Sequence, residues 1–253
     1  MKLNIVMEKP SVVVITPTTG DRALNRACVS VNNQTYTGKI KHLVVIDGPE
    51  YFESAMKNGT TDKQTYMTLP ENVGKNGFYG HRVYAGVSHL VNEDIVMFLD
   101  QDAFYSPEHV EETVNCILSN KYDWAYSLRN IVNTDGTVLC RDNSESLGEW
   151  PAYVGNENVH LIDTSCFAFR RQFLIQVASY WHWGWGGDRR FFEIIWKSMG
   201  HTNFGTTMKY TCNYMLGGNE NSPKPDFFIR GNQIMEKKYE GKAYPWTLKS
   251  KPN

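Results

Sequence analysis

Three apolar runs of strand length dominate the first hundred residues, and each stops at a polar or acidic loop mouth. Val12-Val13-Val14-Ile15 opens into Thr16-Pro17-Thr18-Thr19-Gly20, His42-Leu43-Val44-Val45-Ile46 into Asp47-Gly48-Pro49, and Ile95 to Leu99 into Asp100-Gln101-Asp102. Apolar runs without polar alternation belong to strands buried on both faces, as in a parallel sheet covered by helices. Helical patterns lie between them. Ala23, Leu24, Ala27, Cys28 and Val31 recur at helical spacing behind Asp21 or Thr19 as a cap, and Val83, Tyr84, Val87, Leu90 and Val91 make an apolar face between Gly80 and Val91. The alternation predicts an α/β fold with a Rossmann-like, mostly parallel sheet flanked by helices. Right-handed crossovers then bring all three loop mouths to one edge, where such sheets bind ligands.

Beyond Pro107 the pattern loosens into a helix near Glu108 to Ser119, shorter strands, and a stretch from Asn130 to Glu157 rich in Gly, Asn, Asp and Ser. With 253 residues, 41% hydrophobic and 21% charged, the chain suits a single domain with a shared core. Its expected parts are a nucleotide-binding half at about 10–105, a smaller acceptor and catalytic half at about 106–220, and a tail at 221–253 that wraps the core or frays.

The net charge of −1 gives no general drive toward nucleic acid or acidic membranes. Five cysteines lie far apart without a C-x-x-C pair, which argues for a reducing compartment and against a disulfide framework or a zinc site. The apolar runs are too short to span a bilayer, and the start, MKLNIVMEKP, lacks a signal-peptide core. The expectation is a soluble, cytoplasmic protein without stable membrane insertion, in the host cytoplasm if phage-encoded. Asn33-Gln34-Thr35 and Asn58-Gly59-Thr60 match the glycan-acceptor pattern and, without a secretion signal, carry no weight.

Asp100 and Asp102 place two carboxylates one residue apart at the end of a buried strand. A divalent cation with oxygen ligands, Mn²⁺ or Mg²⁺, would relieve their repulsion, and a diphosphate would complete its shell. An ordinary acidic turn before Ala103 is the alternative.

In order and approximate spacing, TPTTGDR, VVIDGPE, NVGKNGFYGHR and MFLDQD resemble the GT-A glycosyltransferases, especially the inverting family-two type. The likeness continues more loosely through Asp163-Thr164-Ser165-Cys166 and through Trp185-Gly186-Gly187-Asp188-Arg189-Arg190-Phe191-Phe192-Glu193. It implies a nucleotide-sugar donor, held by Thr16, Pro17 and Thr18 of the first loop, by Asp47, by Asn72, Gly74 and Arg82, and by Asp100 and Gln101. Asp100 and Asp102 become metal ligands. An acceptor hydroxyl that attacks an anomeric carbon must lose a proton, and Asp188 is the expected base, with a helix cap as its bland alternative and Glu193 as runner-up. Asp163, Trp185, Gly186 and Gly187 fall on the acceptor side. The Trp-Gly run is similar to the acceptor motif of galactosyltransferases, with Arg189 and Arg190 standing where those carry further acids. The family's later metal-binding His has no counterpart in Thr206 to Tyr214, and His201 lies upstream.

The expected activity is transfer of a sugar, with a UDP-sugar as the favoured donor, to an acceptor hydroxyl with inversion; the acceptor class (glycan, small molecule or modified DNA) stays open. One alternative is a phage-type enzyme acting on hydroxymethylated DNA bases, with Arg141, Arg170, Arg171, Arg189, Arg190 and Lys237-Lys238 as phosphate contacts. Others are a nucleotidyltransferase, poorly matched by TPTTGDRALNR, and a silent sugar-binding module.

Overall fold

The computed structural model describes residues 8–59, 63–155, 157–218 and 222–248. Thr60 of the second glycan-acceptor match, the start through Met7, residues 219 and 220, and residues 221 and 249–253 of the expected tail lie outside the described residues.

The three apolar runs form β1 (Val12–Thr18), β2 (Ile40–Ile46) and β4 (Ile95–Phe98), joined by β3 (Gln64–Thr68) in a parallel array ordered β3-β2-β1-β4. Every residue of β1 is buried, as its unbroken β-branched pattern requires. Helices α1 (Leu24–Asn32), α2 (Phe52–Asn58) and α3 (His81–Val87) make the crossovers. The Asp21 carboxylate accepts the Ala23 N–H at 2.8 Å in the turn that opens α1.

The sheet then continues through elements that the sequence pattern left loose. β8 (Phe167–Arg170) runs antiparallel to β4, β6 (Trp124–Val132) antiparallel to β8, and β9 (Phe204–Met215) parallel to β6. The short strands β5 (Ala103–Tyr105) and β7 (Val138–Arg141) pair with β9 and β6. Two successive reversals make β6 and β9 point the same way as β1, β2 and β4. With β3, six carboxyl ends therefore share one edge, and the residues that precede β8 arrive at that edge too. Helices α4 (His109–Asn120), α5 (Arg171–Val177) and α6 (Gly187–Glu193) cover the faces.

An aromatic layer fixes α6 and the loop before it. Trp124 stacks on Phe204 at 4.1 Å between centroids, and Trp181 stacks on Phe191 at 4.1 Å. Of the two courses open to the tail, the described part wraps the core. Its helix α7 (Pro225–Lys238) buries Phe228 and Met235, and Trp246 beyond it is fully buried, donating to Asn143 Oδ1 at 3.2 Å and Tyr210 Oη at 3.1 Å. An indole with a satisfied N–H is a strong anchor, because large apolar area is removed from water without leaving a polar atom stranded.

Candidate active site

The shared edge carries a cavity of about 400 Å³ lined by Pro17, Thr18, Asp47, Asn72, Gly74, Asp100, Gln101, Asp102, Asp163, Trp185, Gly186 and Asp188, among others. Most of the residues anticipated from sequence are thus brought together, on loops whose backbone is held by specific bonds.

Asp47 lies at the carboxyl end of β2 and accepts the N–H groups of Val73 and Gly74 at 2.8 and 2.9 Å. Burial raises its pKa, and the two N–H bonds hold it back. A Cβ on Gly74 would lie 2.2 Å from the Tyr79 carbonyl oxygen and 2.6 Å from Asp47 Oδ2, so only glycine fits. Asn72 donates to Tyr51 Oη, while its Oδ1 is buried with no partner among the described residues.

Gln101, the central residue of the acidic motif, is a clamp. Its Oε1 accepts from Thr18 Oγ1 at 2.7 Å and from the Thr19 N–H at 3.1 Å, which ties the first loop to the end of β4. Asp100 accepts from Tyr84 Oη at 2.8 Å, and its N–H donates to Ser165 Oγ at 3.0 Å. Burial, then Asp102 and Asp163, push its pKa well above the usual carboxylate range. Asp102 is pushed up to about 6, by burial first and by the charges of Asp163 and Asp21. Asp188 is raised too, by burial and by Asp163, with His81 opposing.

Among the described residues no Lys, Arg or His lies within 4.0 Å of the carboxylates of Asp100, Asp102 or Asp188. Acids gathered without a protein cation suit a hard divalent ion with oxygen ligands. The chain also closes tightly over Asp102: a Cβ on Gly218 would fall 1.6 Å from its Oδ2. Asp100 and Asp102 thus offer oxygen ligands of the kind a divalent cation takes. A different cluster has ligand atoms close enough to share an ion, namely Asp163, Cys166 and Cys212, all buried. Spacing along the chain hides that these two cysteines meet. Asp163 is already engaged there by Arg129 Nη1 and the Ser165 N–H, so the charge at that point is neutralised by the protein itself.

Two anticipated donor residues are placed elsewhere. Thr16 is fully buried and its Oγ1 bonds His42 Nε2 at 2.9 Å inside the β1–β2 layer, because it lies short of the strand's carboxyl end, below the edge that Thr18 reaches. Arg82 lies outside the cavity, its guanidinium 3.3 Å from the Phe78 ring centroid, bracing the loop that carries Asn72 and Gly74. Gly187 acts through packing, since a Cβ there would meet His81 Nδ1 at 2.5 Å. That nitrogen is 2.8 Å from the Trp183 carbonyl oxygen, so it carries the proton and donates, fixing the loop before α6. Glu193 pairs with Arg190 at 3.8 Å. Of the basic residues considered for DNA, Arg141 lies over Tyr210, Arg170 donates to the Tyr122 carbonyl, and Lys238 pairs with Glu157.

Sequence reasoning missed Arg129 and Glu145. Arg129 in β6 is 3% exposed and binds Asp142 at 2.8 Å, Glu145 at 2.6 Å and Asp163 at 2.5 Å. The signal was present: an arginine inside the apolar strand WAYSLRNIV demands buried counter-charges. Burial lowers and the three carboxylates raise its pKa, with the net result well above normal. Glu145, buried at the cavity wall, is pushed up to about 7, burial outweighing Arg129.

The family model described as Glycosyl transferase family 2 matches residues 11–178. The chain belongs to glycosyl transferase family 2. Its architecture is the GT-A fold. Among solved structures, Staphylococcus aureus TarS 1-349 is similar, with 14% identity, a TM-score of 0.58, and coverage of 81% of this chain and 60% of that one. The TarS 1-349 complex with UDP-GlcNAc matches at 11% identity and a TM-score of 0.59, covering 94% of this chain and 68% of that one. The complex with UDP gives 12% and 0.57, with 94% and 67% covered. The chain thus spans about 60% of the first TarS structure's length. No curated protein matches the chain. Among the described residues no helix is long and apolar enough to cross a membrane.

Proposed function

We propose that this family-two enzyme transfers a sugar from a UDP-sugar to an acceptor hydroxyl with inversion, using Mn²⁺ or Mg²⁺. The observation that carries the reading is the meeting of Asp100, Asp102 and Asp188 in one cavity, with no Lys, Arg or His nitrogen within 4.0 Å of their carboxylates among the described residues. Structural similarity to TarS bound to UDP-GlcNAc and to UDP supports the donor class.

Asp47 and Asn72 line the part of the cavity assigned to the nucleoside, and the Gln101 clamp keeps Thr18 and Pro17 against it. A divalent cation held by Asp100 and Asp102 would lower the charge on the diphosphate leaving group. Asp188 takes the proton of the acceptor hydroxyl as its oxygen bonds to the anomeric carbon and the bond to the diphosphate breaks. Its raised pKa suits a base that must hold a proton once the bond has formed. A single displacement on the face opposite the leaving group inverts the anomeric centre. Asp163 orients this wall through Arg129, and Trp185 with Gly186 forms the acceptor rim. We assign the chain to one GT-A domain, with a donor half at 10–105, an acceptor half at 106–220 and a tail at 221–253; β4–β8 and β5–β9 pairing across the halves supports this. Its five free thiols support a reducing, cytoplasmic setting.

The test is a panel of nucleotide sugars, with and without Mn²⁺, read by thermal stabilisation and UDP release and repeated on Asp102→Ala and Asp188→Asn. Loss of turnover in both is expected; unchanged turnover in both sinks the assignment.

A further inference from the structure

Glu145 sits in the cavity wall with one carboxylate oxygen committed and one open. Arg129 Nη2 holds Oε2 at 2.6 Å, while Arg189 Nη2 lies 3.9 Å from Oε1, too far for a hydrogen bond. The residue is 8% exposed, so this oxygen has little access to bulk water except through the cavity that Glu145 and Arg189 both line. Arg189 Nε is buried without a partner, which leaves a guanidinium short of acceptors beside a carboxylate short of a donor. A hydroxyl oxygen about 2.8 Å from each group, set to one side of the line between them, donates to the carboxylate and accepts from the guanidinium across a gap of 3.9 Å. Trp185, 70% exposed on the same cavity, presents a bare aromatic face. Asp188 stands on the same wall, one residue before Arg189.

We propose that Glu145 and Arg189 bind a second hydroxyl of the acceptor, beside the one that Asp188 deprotonates, so that the acceptor is a neutral sugar or polyol presenting a vicinal diol. A ring with an apolar face rests on Trp185 while its two adjacent hydroxyls reach Asp188 and the Glu145–Arg189 pair. An anionic group is disfavoured at this point, because it would face Glu145, Asp163 and Asp188 against two arginines, of which Arg129 is already saturated by three carboxylates. Arg129 orients Glu145, which makes the open oxygen a fixed acceptor.

This inference rests on the glycosyl-transfer reading, and the experiment separates the two. UDP release is measured with the best UDP-sugar of the panel and, as acceptor probes, methyl β-D-glucopyranoside and methyl β-D-galactopyranoside against cyclohexanol, which has one hydroxyl. Wild type is expected to use the diols and to prefer them over cyclohexanol. Glu145→Gln keeps the bond geometry with Arg129 and removes the charge; it is expected to raise the acceptor KM about tenfold or more, with the donor KM moving less than about twofold. A purely structural role would shift both constants or neither. No UDP release from wild type overturns the transfer reading and this inference with it. UDP release without preference for the diols, or an unaltered acceptor KM in Glu145→Gln, overturns this inference alone.

Discussion

Replacing Arg129 by Met tests whether one buried cation holds the acceptor wall together. The side chain is 3% exposed and answers three carboxylates at 2.5, 2.6 and 2.8 Å, so its removal leaves Asp142, Glu145 and Asp163 facing one another in a buried space. Breaking a buried pair on one side costs about 3–5 kcal/mol, and three stranded partners place this case at the upper end. The loss should depend on pH. In wild type the Asp142 carboxyl is held below the usual range: burial pushes it up, and Arg129 with the Ser144 and Ser146 N–H groups outweighs it. A lowered acid contributes stability above its unfolded pKa and loses it as pH falls through the folded one. Without Arg129 burial dominates and the acid is raised. The folded state then binds more protons than the unfolded state, and stability declines as pH rises. Urea unfolding at pH 5.5 and pH 8 reads this. At pH 8 the midpoint should fall by about 1 M or more, taking a slope of roughly 3 kcal/mol/M, and the deficit should shrink at pH 5.5. Equal deficits at both pH values, or a change under about 1 kcal/mol at pH 8, would refute the keystone role.

Asp102→Asn should abolish the thermal stabilisation that Mn²⁺ adds to the UDP-bound protein, read by scanning fluorimetry. In wild type that stabilisation should weaken as pH falls through about 6, where the Asp102 carboxyl takes up a proton and competes with the metal. Gly187→Ala drives a Cβ to 2.5 Å from His81 Nδ1 and should break the bond to the Trp183 carbonyl, displacing the loop beside Asp188. A loss of about tenfold or more in kcat/KM with the unfolding midpoint nearly unchanged is expected; unchanged kinetics would deny the loop its placing role. Trp246→Ala should cost about 3–5 kcal/mol in chemical unfolding, since the ring is fully buried and its N–H is shared by Asn143 and Tyr210.

The donor half is legible because its signals are local. A run such as Val12 to Ile15 states its own burial, and the first polar residues after it state where the edge lies. Even so, strand identity does not settle how far from the edge a residue lies. Thr16 and Thr18 sit two apart on β1, yet Thr16 bonds His42 in the sheet layer while Thr18 bonds Gln101 at the rim. Arg82 departs from expectation for a similar reason, because proximity to Asn72 in sequence says nothing of which side of the loop a long side chain takes. The acceptor half resists reading because its meaning is tertiary. The Asn130 to Glu157 stretch has a loop's composition, yet Asp142, Ser144, Glu145 and Ser146 are buried, since Arg129 supplies a charge that pulls them inward.

The reversal at β8 explains how one cavity collects residues so distant in sequence. On a parallel sheet the binding edge receives only the loops at the strands' carboxyl ends, which here supply Thr18, Asp47 and the Asp100-Gln101-Asp102 motif. An antiparallel strand contributes the residues at its amino end. Because β8 runs against both β4 and β6, Asp163, Thr164 and Ser165 reach the same edge from the opposite direction, and Ser165 meets the backbone of Asp100 directly. Asp163 in turn bonds Arg129 in β6, whose return toward the edge brings Glu145 and the wall beside Asp188. One strand of reversed direction thus couples the proposed donor side of the cavity to the proposed acceptor side, through a continuous chain of bonds from Asp100 to Glu145.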